Sequence, residues 1–302
     1  MTKPALSILI CAHNPRPDYL KRVMDSLRAQ TLDRHTWELL LVDNASKNPL
    51  AKDWDLSDFP LGRHINEPEV GLTPARLRAI REAASDIILF VDDDNVLEPD
   101  YLEQSLRIGR EWPLLGAWGG QQFPEFEGGE PDAQWKRELW TAKLDRDLWS
   151  NNYDRVTAPV GAGVCVRKTV AEKYATLARE SGLRLNLDRK GDGLNAAGDI
   201  DMAYVACDMG LGLGRFRALK LAHLIPARRV SDEYLYKLCE GFGYSDTILA
   251  ALRGKFPSKL CRFDRLVLAY KRMRPAGKPT LQQKAREEGE ARALKVLAEF
   301  KA

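Results

Sequence analysis

Apolar residues in the first hundred positions fall into short unbroken runs, and the segments between those runs carry apolar residues at helical spacing. Leu6-Ser7-Ile8-Leu9-Ile10-Cys11 predicts a buried strand ending in the turn Ala12-His13-Asn14-Pro15, and Pro17 to Gln30 predicts the helix that follows. A second strand is expected from Trp37 to Val42, ending in Asp43-Asn44, and a third, short extended run near Ile65. Gly71-Leu72-Thr73-Pro74 then opens a helix reaching about Ser85, because threonine before proline is a favourable helix start. Asp86-Ile87-Ile88-Leu89-Phe90-Val91 is apolar on both faces, as a strand covered on both sides must be. It terminates in Asp92-Asp93-Asp94-Asn95, ahead of a helix from Pro99 to Arg110. Strand, helix, strand, helix, strand is half of a doubly wound α/β sheet. Its polar residues gather at the carboxyl ends of consecutive strands, the edge where such sheets bind ligands.

The second half is less regular. Pro159 to Lys168 reads as a glycine-rich loop entering a strand, with a helix from about Thr169. Glycines there permit close backbone approach to a ligand, although a plain turn would use them as well. Gly198-Asp199-Ile200-Asp201-Met202-Ala203-Tyr204, continued by Ala206, Met209 and Leu213, predicts a helix beginning at or just after Asp199. As N-cap and first-turn acid, Asp199 and Asp201 would satisfy ordinary helix electrostatics. Phe216 to Pro226 alternates like a strand and delivers His223 near its end. Beyond Ser231 the pattern predicts helices over 232–240, 245–253, 258–273 and 280–301, the last after the break Pro275-Ala276-Gly277-Lys278-Pro279. Trp112, Trp118, Trp135, Trp140 and Trp149 cluster with Phe123 and Phe126. They form either a stacking platform for a sugar or base, or the core of a connecting subdomain, which is the simpler reading.

With 302 residues, 44% hydrophobic and 29% charged, the chain can bury a large core. A net charge of +3 supplies no reason to expect nucleic acid as a partner. The charge is uneven, with 14 Lys and Arg against 5 Asp and Glu over residues 253–302, leaving 32 against 38 for residues 1–252. The stretch 262–274 is amphipathic and basic. An anionic membrane, a lipid-linked acceptor or a second copy could use that face, and an ordinary packing helix with a solvated basic side is the simplest account. Five scattered cysteines without CxxC spacing make neither a disulfide frame nor a zinc site. No signal-peptide pattern opens the chain and no apolar run is long enough to span a bilayer, so a cytoplasmic setting is expected.

Neither GxGxxG after the first strand nor GxxxxGK[ST] occurs, so a bound phosphate needs another counter-charge. Carboxylates a few ångströms apart near a protein surface repel by roughly 1–4 kcal/mol per pair. Asp92-Asp93-Asp94 is therefore costly unless a cation resides there, and Mg²⁺ or Mn²⁺ accepts carboxylate oxygens while leaving positions for substrate phosphates. A solvated acidic turn before the next helix is the alternative. The triplet's place at the end of an apolar strand, on the edge shared with His13-Asn14 and Asp43-Asn44, favours the cation.

Ser7-Ile8-Leu9-Ile10-Cys11-Ala12-His13-Asn14, Leu41-Val42-Asp43-Asn44-Ala45-Ser46, Gly71 to Ile80 and Phe90-Val91-Asp92-Asp93-Asp94, in this order and spacing, resemble family 2 glycosyltransferases of the A-type nucleotide-sugar fold. The resemblance implies a doubly wound, mostly parallel sheet in a catalytic domain over 1–230, and the helical pattern and surplus of positive charge make 231–302 a basic helical extension. The resemblance further implies that Ala12, His13 and Asn14 contact the nucleotide, that Asp43 hydrogen-bonds the base, and that Arg76 sits near the diphosphate. Asp92-x-Asp94 would be the DxD motif, with Asp92 towards the ribose, Asp93 in the same donor turn and Asp94 on the metal. His223 stands where the family often has a further metal ligand, and Asp199 aligns with its general base. Two positions depart from the pattern: Leu77 follows Arg76 where the family often has Asn, and Gly198 precedes Asp199 where it has Glu.

Displacement at an anomeric carbon needs a base for the acceptor hydroxyl, and an aspartate, with an unperturbed pKa of about 3.9, is ionised and ready at neutral pH. Inversion needs that one base, whereas retention needs a second carboxylate as nucleophile. Asp201 is the nearest, and on a helix it points away from Asp199. The expected activity is thus inverting, Mn²⁺- or Mg²⁺-dependent sugar transfer, as in polysaccharide biosynthesis, from a nucleoside-diphosphate sugar, UDP-sugar favoured, to a glycan or lipid-linked acceptor. Two alternatives remain open at this level: nucleotidyl transfer on a similar sheet, and a degenerate sugar-nucleotide binding module.

Overall fold

A computed structural model of the chain describes residues 3–132, 135, 143–191, 193–255 and 280–300. Strands β1 (Leu6–Ala12), β2 (Trp37–Asn44), β3 (Gly62–Glu67) and β4 (Ile87–Val91) lie parallel in the order β3-β2-β1-β4. Between them run α1 (Pro17–Arg28), the single turn α2 (Leu50–Asp53) and α3 (Leu72–Glu82). Alternation at period two sorts the strand residues onto two cores. Ile8, Ile10, Leu39, Leu41, Leu89 and Val91 pack with Leu20, Val23, Met24 and Leu27 of α1. Leu9, Leu40, Val42, Ile88 and Phe90 pack with Ala75, Ala79 and Ile80 of α3. A slip of one residue in any strand would exchange the two sets, so burial on both faces holds the register.

After β5 (Asn95–Leu97) and α4 (Tyr101–Glu111) the chain forms β6 (Leu115–Phe126), β7 (Leu148–Ser150) and β8 (Val164–Arg167). Helices α5 (Lys168–Arg179), α6 (Gly182–Leu185) and α7 (Gly198–Asp208) lead to β9 (Gly212–Ile225), and α8 (Asp232–Ala251) and α9 (Leu281–Glu299) end the described chain. The nine-stranded sheet is ordered β3-β2-β1-β4-β8-β6-β9-β5, with β7 on β9. β6 and β9 run parallel, while β8 pairs antiparallel with both β4 and β6, and β5 antiparallel with β9.

β6 is invisible to a hydrophobic pattern because Gly119-Gly120-Gln121-Gln122 interrupts it. A Cβ at Gly120 would lie 2.0 Å from the Leu219 carbonyl oxygen, and the β6–β9 register shifts between Gly119 and Gln121. The glycines there admit a neighbouring strand. The same holds farther on, where separate helices are expected over 232–240 and 245–253 and α8 is instead continuous. A Cβ at Gly243 would fall 2.1 Å from the Arg286 carbonyl oxygen and one at Gly289 1.9 Å from that of Glu240, so these glycines mark the close crossing of α8 and α9. Tyr244, Ile248, Ala293 and Leu297 of that pair enter the same core as Leu9 and Phe90. The basic helix expected over 258–273, together with Trp140, lies outside the described residues. Among the described residues no helix is long and apolar enough to cross a membrane.

Candidate active site

Parallel pairing sets Ala12 opposite Asp43 and Ile10 opposite Val91, so the turns after β1, β2 and β4 meet at one edge. Two of them interlock. Asn14, at φ 48°, accepts from the Lys47 backbone N–H at 2.9 Å, and its own N–H donates to Ser46 Oγ at 3.0 Å. His13 Nδ1 donates to the Asn44 carbonyl at 2.6 Å while Nε2 accepts from Asn14 Nδ2 at 2.9 Å. Asp43 is buried, and its two oxygens accept the N–H groups of Ser46 (3.0 Å) and Leu50 (2.9 Å). Its carboxylate therefore shapes the turn, and neither it nor Ala12 lines the cavity that His13, Asn14 and Asn44 line.

The acidic triplet borders that cavity, whose volume is about 550 Å³. Burial, then Asp94, raises Asp92, and burial with both neighbours pushes Asp93 up to about 7. Asp94 would also be raised by burial, but His223 and Arg229 outweigh it and hold its carboxyl below the usual range. Arg229 Nη1 donates to Asp94 Oδ2 at 2.7 Å, and His223 Nε2 stands 3.6 Å from Oδ1. The juxtaposition is built by the sheet, since β5 and β9 pair Asn95 with His223 and the Leu224 N–H donates to the Asp94 carbonyl at 2.9 Å. Among the described residues no group of three or more His, Cys, Asp or Glu side chains forms a cage on its own.

Also lining the cavity, Asp199 sits in the first turn of α7, with Oδ2 accepting the Gly161 N–H and Oδ1 the Ile200 N–H at 2.8 Å. A Cβ at Gly161 would fall 3.0 Å from Asp199 Oδ2 and 3.1 Å from Arg76 Nη2, which is why the loop before β8 carries glycine there. Arg76 is buried and pairs through Nη1 with both oxygens of Asp188, at 3.1 and 3.0 Å. Burial would lower its pKa, but Asp188, Asp199 and Asp92 reverse the effect and keep it charged. Asp201, one turn edge away from Asp199, is wholly buried between Arg184 (2.6 Å) and Arg253 (2.9 Å) and takes no part in the cavity.

The structure thus brings His13, Asn14, Arg76, Asp92, Asp93, Asp94, Asp199 and His223 to one cavity. Asp188, Arg189, Arg228 and Arg229 join them, none of which the sequence singled out. Their only cue was composition: Asp188-Arg189-Lys190-Gly191-Asp192-Gly193 is polar and glycine-rich, and Arg228-Arg229 follows a strand end. Among the described residues Arg189 and Arg228 have no ion-pair partner. The described tryptophans of the cluster are elsewhere. Trp118 and Trp135 are core, and Trp112 and Trp149 form a tilted pair at 6.0 Å outside the cavity. Its aromatic lining comes from Tyr19, Tyr234 and Phe242.

A mixed sheet whose parallel half ends in a carboxylate turn that shares a polar cavity with another aspartate is the arrangement of A-type nucleotide-sugar glycosyltransferases. S. aureus TarS 1-349 in complex with UDP superposes with a TM-score of 0.51 at 15% identity, over 82% of this chain and 70% of that one. The glycosyl transferase family 2 profile matches residues 7–173, more than half of the chain, and the chain belongs to that family. EpsH of Bacillus subtilis is 33% identical over 170 residues, 51% of this chain and 48% of EpsH. The glucosyl-dolichyl phosphate glucuronosyltransferase of Haloferax volcanii is 22% identical over 190 residues, 62% of this chain and 58% of that protein. The match spans about half the length of these relatives.

Proposed function

We propose that this protein is an inverting glycosyltransferase that moves a sugar from a nucleoside-diphosphate donor, UDP-sugar first among candidates, to an acceptor hydroxyl. The observation that carries the reading is the sharing of one cavity by Asp199, Asp92, Asp94 and His223. Family membership and the UDP named in the TarS complex support the donor class. Asp199 is the base: both oxygens are held by backbone N–H groups, which aim the carboxylate while its remaining lone pairs stay free for the acceptor's proton. Asp201, the nearest alternative nucleophile for a retaining route, is committed to two buried arginines.

Asp94 and His223 suit a divalent ion, because two protein donors facing one another leave positions for water and phosphate oxygens, as Mg²⁺ and Mn²⁺ prefer. When bound, such an ion would offset charge on the departing diphosphate. Arg189 and Arg228 supply further positive charge to the cavity, and His13 and Asn14 serve the nucleotide.

A thermal-shift panel of UDP-, GDP- and dTDP-sugars with and without Mn²⁺ tests the donor, since a ligand that binds only the native state raises its stability. UDP-sugars are expected to raise the unfolding midpoint, more with Mn²⁺ present. No shift with any nucleotide in either condition would remove the donor assignment, and a product of unchanged anomeric configuration would remove inversion.

A further inference from the structure

Asp188 precedes α7 by ten residues and is 5% exposed. Its carboxylate accepts from Thr73 Oγ1 (3.0 Å), Arg76 Nη1 and the Gly198 N–H (3.1 Å). Thr73 and Arg76 belong to α3, while Gly198 is the first residue of the helix that carries Asp199. One buried anion therefore ties α3 to the start of α7. It also occupies the space that a side chain at 198 would need, because a Cβ there would lie 2.3, 2.6 and 2.5 Å from Asp188 Oδ2, Oδ1 and Cγ. A helix N-terminus favours an anion beside its free N–H groups, and here the anion arrives from the preceding loop instead of from the helix itself.

We infer that Asp188 is the positioning residue for the base: by seating the Gly198 N–H and pairing Arg76, its carboxylate fixes the first turn of α7 so that Asp199 lines the cavity, and positions 188 and 198 share a single carboxylate-sized volume. The inference rests on the reading of Asp199 as base. Asp188 touches no reacting atom. Its effect is on geometry, where displacement by an ångström can cost about 10²-fold in rate.

The shared volume can be tested without any sugar chemistry. Gly198→Ala overpacks the site in the unaltered background and is expected to lower the unfolding midpoint by about 2–5 °C. In the Asp188→Ala background the space is vacant and the same change should cost less than about 1 °C. Positioning is tested by turnover with UDP-sugar and Mn²⁺. Asp188→Ala should lose about 10²-fold in kcat, with KM for the donor within about fivefold. Asp188→Ala/Gly198→Asp returns a carboxylate to the volume from the other side and should recover at least about tenfold of that loss. Equal cost of Gly198→Ala in both backgrounds overturns the shared volume. A folded double variant that regains the thermal midpoint and no turnover overturns the positioning role, as does unaltered kcat in Asp188→Ala. If the unaltered protein transfers sugar from no donor, the glycosyl-transfer reading falls, and the thermal cycle still decides the shared volume.

Discussion

Asp199 and Asp201 are two residues apart in one helix, and exchanging each for asparagine should produce opposite defects. Asp201 is wholly buried, with Arg184 and Arg253 donating to it at 2.6 and 2.9 Å. Burial raises its pKa despite both guanidiniums, so the triad is expensive to hold compared with an apolar cluster. Removing the anion alone is worse, because it leaves Arg184 buried without its partner and Arg253 with only Asp208 at 3.6 Å, at ~3–5 kcal/mol. For 302 residues the unfolding entropy is about 0.6 kcal/mol/K, so Asp201→Asn should lower the midpoint by about 5–8 °C. Turnover per folded molecule should stay within about threefold. Asp199→Asn should shift the midpoint by no more than about 2 °C, because its two acceptors serve N–H groups at a partly open wall. It loses the proton acceptor, which is worth about 10²–10⁴-fold, or about 3–5 kcal/mol of barrier. Differential scanning calorimetry and steady-state transfer from UDP-sugar, run on both variants, separate the two. If Asp201→Asn loses turnover with its midpoint intact, or Asp199→Asn keeps wild-type turnover, the assignment of base and structural acid is wrong.

Asp94→Ala should abolish the Mn²⁺-dependent part of the UDP thermal shift and leave the metal-free part, and an unchanged Mn²⁺ increment would place the ion elsewhere. Gly289→Val should destabilise the chain by more than about 2 kcal/mol in a urea titration, since even a Cβ would press on the Glu240 carbonyl oxygen at 1.9 Å, and a neutral result would contradict the close crossing of α8 and α9. Cys11 lines the cavity, yet burial pushes its thiol up to about 12. Because only the thiolate reacts, about 10⁻⁴ of it is available at pH 8, and alkylation should be about 10³-fold slower than for a free cysteine and rise tenfold per pH unit up to pH 11. Peptide mapping after iodoacetamide measures this, and rapid labelling at pH 8 would mean that the surroundings do not suppress the thiolate.

The periodic parts of this chain were readable directly. Leu6–Ala12, Trp37–Asn44 and Ile87–Val91 are strands because both faces are apolar, and parallel pairing of such strands obliges their polar ends to share an edge. His13, Asn14 and the Asp92–Asp94 turn were placed by that rule alone, and Asp199 by the helix opening beneath it. What a linear pattern cannot carry is which atoms meet across long separations. Asp43 sits where expected, yet its carboxylate turns onto Ser46 and Leu50. Arg76 resembles the solvated Arg78 and Arg81 in sequence, and only the fold buries it against Asp188, 112 residues away. Glycines carry the same kind of information: Gly120, Gly241 and Gly243 interrupt the apolar pattern because another backbone comes close there. Local spacing determined the strands, their order of appearance and the chemistry at their ends, since those depend on neighbours along the chain. Tertiary structure decided which of two nearby aspartates faces the cavity and which carboxylate seats its helix, because burial and pairing are properties of the three-dimensional surroundings.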